Sequence, residues 1–256
     1  MPGQPNGVAV NLPVLNERAA LEIVVPAIIR QLCGRRHTLC AVDGGSTDGT
    51  VEFLRGLAQA GESIIVIERP RPGRGCQRGD ASRAGLAWLL DHTDHEIFVD
   101  IDGDDSQPPE ELASGIAILE SPGCDVVIAS KYVRGAAVTG RPVGRRLVSL
   151  FYNALVRALA GTGLRDHSNT YRFYTRRAAR LAMQIDAQHT GPLFMLEMLL
   201  HWVCQGLSIV EVPTRYRPRI GGESKVALGD FALGLWGALR LARRARLRGS
   251  SMAGRS

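Results

Sequence analysis

Short apolar runs alternate with helix-like segments along the first half of the chain, and this alternation is the feature that most limits the possible folds. The apolar runs have the length of strands and cover residues 7–13, 38–42, 63–68 and 96–99. Between them, apolar residues recur at helical spacing over residues 16–32, 51–58 and 80–90. Strands separated by helices of about ten residues favour a mostly parallel sheet with right-handed crossovers. The sequence therefore predicts an α/β fold in which helices flank a mostly parallel central sheet.

The second half of the chain is less regular. Strand-like runs cover residues 125–129 and 207–212, and helical segments cover residues 145–160 and 193–204. A loop that enters a strand is predicted over residues 166–174. We expect the basic, glycine-containing residues 215–225 to form another loop.

Composition excludes several classes of protein. The 256 residues are 45% apolar and 22% charged, which is typical of a globular chain that can bury a core. Five cysteines occur without a CxxC pair, so neither a disulfide framework nor a zinc site is indicated. Residues 1–7 lack signal-peptide features, and no stretch holds the roughly 20 apolar residues of a membrane span. We expect a cytoplasmic protein.

Basic residues are concentrated near the carboxyl terminus, although the whole chain carries a net charge of only +6. No acidic residue follows Asp230, but six arginines do: Arg240, Arg243, Arg244, Arg246, Arg248 and Arg255. An amphipathic basic helix and tail are predicted over residues 226–256, and they suit contact with anionic lipid or phosphate. Only Lys131 and Lys225 are lysine among the 31 basic residues, which makes their positions informative.

Polar loops follow three of the predicted strands, after Leu12, Val42 and Val99. In open parallel sheets, ligands bind beyond the carboxyl ends of the strands. We therefore expect these three loops to converge on one crevice.

The loop after Val99 carries four aspartates within six residues, namely Asp100, Asp102, Asp104 and Asp105. Ionised carboxylates this close repel one another, and a divalent cation with oxygen ligands is the usual remedy. Alternate residues of an extended segment share one side, so Asp102 and Asp104 are predicted to hold Mg²⁺ or Mn²⁺ together. Gly103 would let a nucleotide approach, and Asp100 and Asp105 would support the site or cap a helix.

The acidic turn has two other interpretations. An EF-hand calcium loop fails at its sixth position, which requires glycine and holds Asp105, and Pro108 and Pro109 stand where its exiting helix would begin. A solvated acidic turn that caps the helix beginning near Pro109 stays open on these residues alone.

The loop after Val42 combines a carboxylate, Asp43, with glycines and hydroxyl residues through Thr50. A fixed carboxylate here can accept hydrogen bonds from the ring N–H of uracil or guanine, whereas adenine has no such donor. The alternative is a helix-capping turn without a ligand.

Basic residues are expected to complement phosphate groups across the crevice, and the candidates are Lys131, Arg145 or Arg146, Arg219 and Lys225. The chain contains neither a GxxxxGK[ST] phosphate loop nor a GxGxxG fingerprint, and the glycines of residues 73–79 have the wrong spacing for either. These absences argue against an ATPase and a dehydrogenase.

Five motifs, in order, resemble those of family 2 glycosyltransferases, and most closely the dolichol-phosphate (polyprenyl-phosphate) mannosyltransferase branch. They are LPVLNE at residues 12–17, VDGGSTDGT at 42–50, DGDDSQPPE at 102–110, ASKYVRG at 129–135 and GESK at 222–225. The resemblance implies a GT-A, Rossmann-like fold and inverting transfer from a nucleotide-diphosphate sugar with a divalent metal.

The resemblance also implies roles for individual residues. Base and ribose would be bound by Pro13, Leu15, Glu17 and Asp43, with Asp102 and Gly103 completing the nucleotide site. Asp102 and Asp104 would form the DXD metal motif, joined by Ser106 where relatives often have glutamine. The residues assigned to catalysis are Asp104, Lys131 and Arg219, and those assigned to phosphate binding are Arg145 and Lys225.

Three departures from the family pattern concern specificity. Gly44 replaces the second aspartate of the usual pair, which leaves Asp43 as the only carboxylate for base recognition. Lys131 replaces arginine and gives up bidentate phosphate contacts. Residues 168–172 read SNTYR where relatives commonly read TSGFR, which indicates a specialised acceptor side.

We expect one catalytic domain over residues 1–225, with a nucleotide-binding half at 1–115 and an acceptor half at 116–225. The expected reaction transfers a sugar from GDP or UDP to a polyprenyl phosphate, whose anionic oxygen requires no strong base. Because a polyprenyl phosphate lies in a membrane, we also expect peripheral contact of the protein with the inner face of the cell membrane.

One alternative is a soluble glycosyltransferase acting on a small metabolite, for which Glu197 or Asp166 would be the candidate base. A second alternative is a basic nucleic-acid-binding protein without enzymatic activity. No nucleic-acid-binding motif occurs in the sequence, and an acidic crevice repels phosphates unless metal fills it, so we expect no nucleic-acid partner.

Overall fold

A seven-stranded sheet forms the centre of the protein in a computed structural model, which describes residues 6–69, 78–185, 191, 193–220, 237 and 239–243. The strand order is β3-β2-β1-β4-β7-β5-β8, and β6 and β9 form a separate parallel pair. The strands are β1 (Val8–Val14), β2 (His37–Asp43), β3 (Ile64–Glu68), β4 (Ile97–Asp100), β5 (Val126–Ser130), β6 (Ala137–Val138), β7 (Arg172–Thr175), β8 (Ile209–Pro213) and β9 (Arg215–Tyr216).

Helices cover both faces of the sheet, as the α/β prediction requires. They are α1 (Arg18–Gln31), α2 (Thr50–Gln59), α3 (Arg78–His92), α4 (Leu112–Leu119), α5 (Val143–Ala160), α6 (Arg176–Met183) and α7 (Leu193–Cys204), with a 3-10 turn at Pro109–Glu111. The predicted mostly parallel sheet is confirmed: β7 alone among the described strands runs antiparallel, between β4 and β5.

Two apolar layers result from the alternation of side chains along the strands. Val8, Val10 and Leu12 of β1 pack with α1, α2 and α4, whereas Ala9 packs on the opposite face with α3, α6 and α7. Each fully buried aliphatic side chain contributes roughly 1.5–3 kcal/mol through removal from water. The helical spacing of apolar residues over residues 16–32 predicts that Ile23 faces the core, and this is wrong because Ile23 is 51% exposed on the solvent side.

Helix α3 approaches the sheet closely through Gly85. A Cβ atom at Gly85 would lie 2.1 Å from Asn11 Oδ1 and 2.9 Å from Val42 Cγ2, so only glycine allows the helix to rest on β1 and β2. This contact fixes the start of α3, and therefore Arg78, beside the carboxyl end of β4.

Several elements differ from the sequence-based expectation. Helix α6 was missed, although Thr175 signals its start by accepting a hydrogen bond from the Ala178 N–H. The short strand β9 lies in a segment expected to be a loop, and its partner β6 was missed. Helix α5 has the amphipathic pattern that the sequence of residues 145–160 predicts, but most of its apolar residues face solvent, including Leu147 and Phe151, which are 61% and 63% exposed.

The carboxyl-terminal segment is described only at residues 237 and 239–243, which are helical. Ala242 is buried in a small cluster with Val156 of α5 and with Leu196 and Leu200 of α7. The remainder of the predicted basic helix and tail lies outside the described residues. Within the described ranges, no helix combines the length and the apolar character needed to cross a membrane.

Candidate active site

The carboxyl edge of the sheet brings together the loops that the sequence singles out. The loops after β1, β2, β4 and β5 lie there because these strands run in the same direction. Strand β7 runs the other way, so the loop that precedes it, residues 161–171, reaches the same edge. The segment after β9 closes the arrangement, since the N–H of Arg217 donates to Ser106 O at 3.2 Å and that of Ile220 to Asp104 O at 2.9 Å.

Asp102 is held by neutral donors on one side and by a cation on the other. Gln107 Nε2 donates to Asp102 Oδ2 at 2.9 Å, and Gln107 Oε1 accepts from the Asp102 N–H at 2.9 Å. Thr170 Oγ1 donates to the same carboxylate at 3.2 Å. The guanidinium of Arg78 forms an ion pair with Asp102 Oδ1. These contacts fix the direction in which the carboxylate points.

Asp104 is buried and faces a different cation. Its Oδ2 lies 3.3 Å from a guanidinium nitrogen of Arg219, and its Oδ1 accepts from the Ser106 N–H at 3.0 Å. Asp105 adopts a left-handed backbone conformation with φ of 63° and forms an ion pair with Arg217 at 2.5 Å. The chain turns after Gly103, so the expectation of an extended segment through Asp104 is wrong.

The carboxylates of Asp102 and Asp104 suit a divalent cation. They are hard oxygen donors, and each already faces a guanidinium group, which shows that the site attracts positive charge. The described residues contain no cluster of three or more His, Cys, Asp or Glu side chains arranged for a metal. The contacts that hold Ser106 are those of its backbone, and its assignment as a metal ligand stays a prediction.

Asp100 lies beneath this turn and is 2% exposed. Burial raises the pKa of its carboxyl group to about 6, although hydrogen bonds from Asn11 Nδ2 at 2.7 Å and Tyr174 Oη at 3.0 Å lower it. Asn11 also donates to Ser82 O, which links the turn to α3. Asp100 thus joins the start of the turn to β1 and β7, and its role in the site stays a prediction.

The predicted base pocket surrounds Asp43, whose carboxylate is 2% exposed. It accepts hydrogen bonds from the N–H groups of Gly45 at 2.7 Å and Ser46 at 2.9 Å, and from the Ser46 hydroxyl. Leu15 packs over Gly44, where an added Cβ would lie 3.7 Å from the leucine side chain. The loop therefore fixes Asp43 internally, as the capping-turn alternative requires, and its contact with a nucleobase stays a prediction.

Glu17 and Gly103 lie against each other. A Cβ atom at Gly103 would lie 2.6 Å from Glu17 Oε2 and 3.2 Å from Val14 Cγ1, so a side chain at this position would displace the Glu17 carboxylate and crowd the end of β1. Pro13 is paired in register with Val42 in the neighbouring strand. The loops after β1, β2 and β4 thus share one wall of the crevice.

Lys131 follows β5 and is paired with Asp166, its Nζ lying 3.8 Å from Asp166 Oδ2. Its side chain is 6% exposed and lies 5.4 Å from the ring centre of Tyr216. Burial lowers the pKa of Lys131, and the charge of Asp166 opposes this shift. Burial alone would raise the pKa of Asp166, but Lys131 and the hydrogen bonds to the carboxylate bring it below its usual value.

The loop before β7 is organised around Asp166. Its Oδ1 accepts from the N–H groups of Ser168 at 3.0 Å and Asn169 at 2.9 Å, while Oδ2 accepts from the Lys131 N–H at 2.9 Å. Arg172 is fully buried behind this loop and donates to Asn169 O and Met195 O. This carboxylate orders the loop, which suits a positioning residue better than the base considered in the sequence analysis.

Other predicted residues are placed less closely. Arg145 is exposed in the first turn of α5, whereas Arg146 lines a small pocket with Lys131, Tyr132, Val138, Arg141 and Leu150. Glu197 is buried on α7. Lys225 lies outside the described residues. The roles of Arg145, Lys225 and Glu197 stay predictions.

Three contributors to the site were missed from the sequence. Gln107 follows the position at which relatives often have glutamine, so a shift of one residue would have identified it. Arg78 lies next to the last glycine of residues 73–79, the segment whose spacing does not fit a phosphate loop, and an arginine beside such glycines was the available signal. Thr170 gave no local signal, because only the reversal of β7 brings it to Asp102.

Comparisons with known proteins identify the family of the chain. Residues 9–181 match the sequence model of Glycosyl transferase family 2. The polyprenol monophosphomannose synthase of Mycolicibacterium smegmatis is 31% identical over 231 residues, covering 88% of this chain and 85% of that protein. The undecaprenyl-phosphate mannosyltransferase of Micrococcus luteus is 30% identical over 219 residues, covering 85% and 86%.

Solved structures agree on the fold. Glucosyl-3-phosphoglycerate synthase from Mycobacterium tuberculosis, in complex with Mn²⁺, UDP and glucosyl-3-phosphoglycerate, has a TM-score of 0.64 at 21% identity. The match covers 94% of this chain and 80% of that one. A complex of the same enzyme with Mn²⁺, UDP and phosphoglyceric acid has a TM-score of 0.65 at 22% identity, covering 93% and 78%. The protein therefore belongs to glycosyl transferase family 2 and is a glycosyltransferase with a GT-A fold.

Proposed function

We propose that this glycosyltransferase transfers a mannosyl group, with inversion, from a nucleoside-diphosphate donor to a polyprenyl phosphate and requires Mg²⁺ or Mn²⁺. The two curated relatives support this choice, since both are named for mannose transfer and for a polyprenol or undecaprenyl phosphate. The mannosyl group would be carried by either GDP or UDP. We further propose that the enzyme works in the cytoplasm, in peripheral contact with the membrane that holds its acceptor.

Asp102 and Asp104 would hold the metal at the carboxyl end of β4, beside the wall formed by Glu17, Asp43 and Gly103. A bound divalent cation would neutralise the negative charge that develops on the leaving diphosphate. Arg219, which reaches Asp104 at 3.3 Å, is placed to donate to the same phosphates once Asp104 binds metal. The carboxylates and this cation would thus define the donor side of the crevice.

The observation that carries the acceptor assignment is the continuity between a basic pocket and an exposed apolar surface. The pocket contains Lys131, Arg141 and Arg146, and its remaining wall includes Leu150. Leu150 is also 46% exposed and belongs to an apolar ridge on α5, which we define as Val143, Leu147, Val148, Leu150 and Phe151. A phosphate attached to a long apolar chain matches both surfaces.

No strong base is needed for this acceptor. A phosphate monoester with a pKa₂ of about 6 is already anionic at neutral pH, so its oxygen can attack the anomeric carbon from the side opposite the diphosphate. Lys131 would hold that phosphate, and Asp166 would keep the lysine in position. Binding the two substrates in one crevice would supply the orientation on which the reaction rate depends.

The test is a transfer assay with GDP-mannose or UDP-mannose and a polyprenyl phosphate, with Mn²⁺ or with a chelator. We expect product only with metal, and we expect Asp104→Ala to lower the rate about a hundredfold or more because it removes a metal ligand. Asp94→Ala is the matched control, since Asp94 is a surface residue paired with Arg36.

Three results would contradict the proposal: full activity in chelator, full activity of Asp104→Ala, or transfer only to a water-soluble phosphorylated acceptor. The last result would favour the small-metabolite alternative. Thermal-shift measurements with GDP and UDP, each with and without Mn²⁺, identify the base separately from turnover, since the nucleotide that binds the native state raises its melting temperature.

A further inference from the structure

Arg78 is the cation that faces Asp102, and neither the sequence motifs nor the acceptor and donor assignments above give it a role. Its guanidinium forms an ion pair with Asp102 Oδ1, and both side chains are mostly buried, with 22% and 14% exposure. Arg78 Nε is buried and has no hydrogen-bond partner among the described residues. A guanidinium has five N–H donors, so the ion pair uses only part of its capacity.

The backbone of Arg78 is held by α3, whereas its side chain can bind either the Asp102 carboxylate or a phosphate group. Arg78 is the first residue of α3, and that helix rests on β1 and β2 through Gly85. Asp102 is also held independently of Arg78, by Gln107 and Thr170. Loss of the Arg78 contact would therefore leave the carboxylate in place and free it to bind another cation.

Arg78 also lies close enough to the acceptor side to act on its charges. Burial lowers the pKa of Lys131, the charges of Arg141, Arg172 and Arg78 lower it further, and the charge of Asp166 opposes these shifts. Because the guanidinium of Arg78 contacts Asp102, it lies beside the space that a donor diphosphate would fill once that carboxylate binds metal. A planar guanidinium with spare N–H groups is well suited to bidentate binding of phosphate.

We propose that Arg78 is the resident counter-ion of Asp102 and transfers to the donor's diphosphate when a divalent metal binds that carboxylate. The inference rests on the proposed function above. Metal alone must compete with the guanidinium, whereas metal and diphosphate together provide both ions with new partners. Metal and nucleoside diphosphate therefore bind with positive coupling, and Arg78 is the positioning residue that links them.

The test measures Mn²⁺ binding by the paramagnetic resonance of free Mn²⁺, for the full chain with and without GDP or UDP. Without nucleotide, Arg78→Gln is expected to bind Mn²⁺ about two- to fivefold more tightly than the wild type, because no guanidinium competes. With Mn²⁺ saturating, the same variant is expected to bind the diphosphate about tenfold more weakly, because a charge-assisted hydrogen bond is lost. Arg78→Lys keeps the charge but not the bidentate geometry, so its affinities for Mn²⁺ and for the diphosphate should lie between those of the wild type and of Arg78→Gln.

Arg83→Gln is the matched control, because it removes one arginine from the same helix where its guanidinium contacts Ile185 O instead of an acidic residue. It should bind Mn²⁺ and the diphosphate as the wild type does. A gain of metal affinity in Arg78→Gln cannot result from damage to the fold. Unchanged or weaker Mn²⁺ binding, or unchanged diphosphate binding, in Arg78→Gln would overturn the assignment of Arg78 alone. Wild-type protein that binds neither Mn²⁺ nor either nucleotide would overturn the proposed function as well.

Discussion

Asp166 shows how one buried carboxylate can order an entire loop. It accepts three backbone N–H groups and the Ser168 hydroxyl, and it faces the ammonium group of Lys131. Carboxylates that accept several donors and face a cation stay ionised when buried. The sequence pointed to Lys131 because lysine is rare in this chain, but it could not identify Asp166 as its partner, since 35 positions separate the two residues.

Replacing Asp166 with asparagine should destabilise the protein by roughly 3–5 kcal/mol at neutral pH, because the lysine loses its counter-charge and an amide N–H₂ meets a backbone N–H. The pKa of Asp166 is lowered in the folded state, so its stabilising contribution is present above the unfolded pKa of about 3.9 and is lost as the pH falls through the lower folded value.

Urea denaturation of the wild type and of Asp166→Asn between pH 7 and pH 3 measures both effects. The difference between the two proteins should shrink only in the acidic part of this range. A difference that stays constant to pH 3 would show that Asp166 does not contribute through its charge.

At the scale of elements, the periodicity of side chains predicted most strands and helices, but it did not predict which helix faces are exposed or in which direction each strand runs. Helix α5 has the expected 3.6-residue pattern, yet pattern alone cannot tell whether an apolar face meets the core or solvent. The direction of β7 was likewise unpredictable, because a four-residue strand has the same alternation in either direction. The loops after β1, β2 and β4 were predicted correctly, since their positions follow from the α/β alternation itself.

The apolar ridge of α5 should bring the protein to anionic lipid surfaces. Leu147→Ser combined with Phe151→Ser should weaken binding to vesicles of phosphatidylglycerol and phosphatidylcholine by about tenfold or more, since each side chain contributes roughly 1.5–3 kcal/mol when removed from water. Co-sedimentation at fixed salt measures this binding. Ile23→Ser is the control, because Ile23 is 51% exposed on α1. Equal binding by the double variant and the wild type would exclude the ridge as a membrane contact.

Alanine should have opposite effects at two helical glycines, because Gly85 of α3 packs tightly on the sheet whereas Gly56 of α2 faces open space. Gly85→Ala should destabilise the protein by about 1–3 kcal/mol, because its Cβ would overlap Asn11 and Val42. Gly56→Ala should stabilise it by about 0.5–1 kcal/mol, because Gly56 lies within α2 with no atom within 4 Å of the added carbon. Chemical denaturation compares the two variants, and a destabilised Gly56→Ala or a neutral Gly85→Ala would be inconsistent with this packing.

At the scale of the whole molecule, the two expected halves share one sheet. Strand β4 belongs to the first half and pairs with β7 of the second, and one apolar layer contains Val10 as well as Phe173. The boundary between residues 115 and 116 stays a prediction about function. For folding, the described residues form a single layered unit, because hydrogen bonds and core contacts cross that boundary.

Unfolding should therefore occur as one cooperative transition. Trp202 is buried in the second half, so fluorescence reports on that half once Trp88 and Trp236 are replaced by phenylalanine, while far-UV circular dichroism reports on all elements. We expect the two signals to give the same denaturation midpoint, as two-state behaviour requires. Mn²⁺ with the preferred nucleotide should move both midpoints together. Separate midpoints would indicate that the halves unfold independently.

The reversal of β7 has a consequence for how such enzymes diversify. Residues 161–171 enter the crevice from a strand that runs against its neighbours, and insertions there would extend over the carboxyl edge without shifting the register of any parallel strand. The donor wall, built from the loops after β1, β2 and β4, would keep its shape. We therefore expect that a chimaera in which only residues 161–171 are exchanged would change its acceptor and keep its donor.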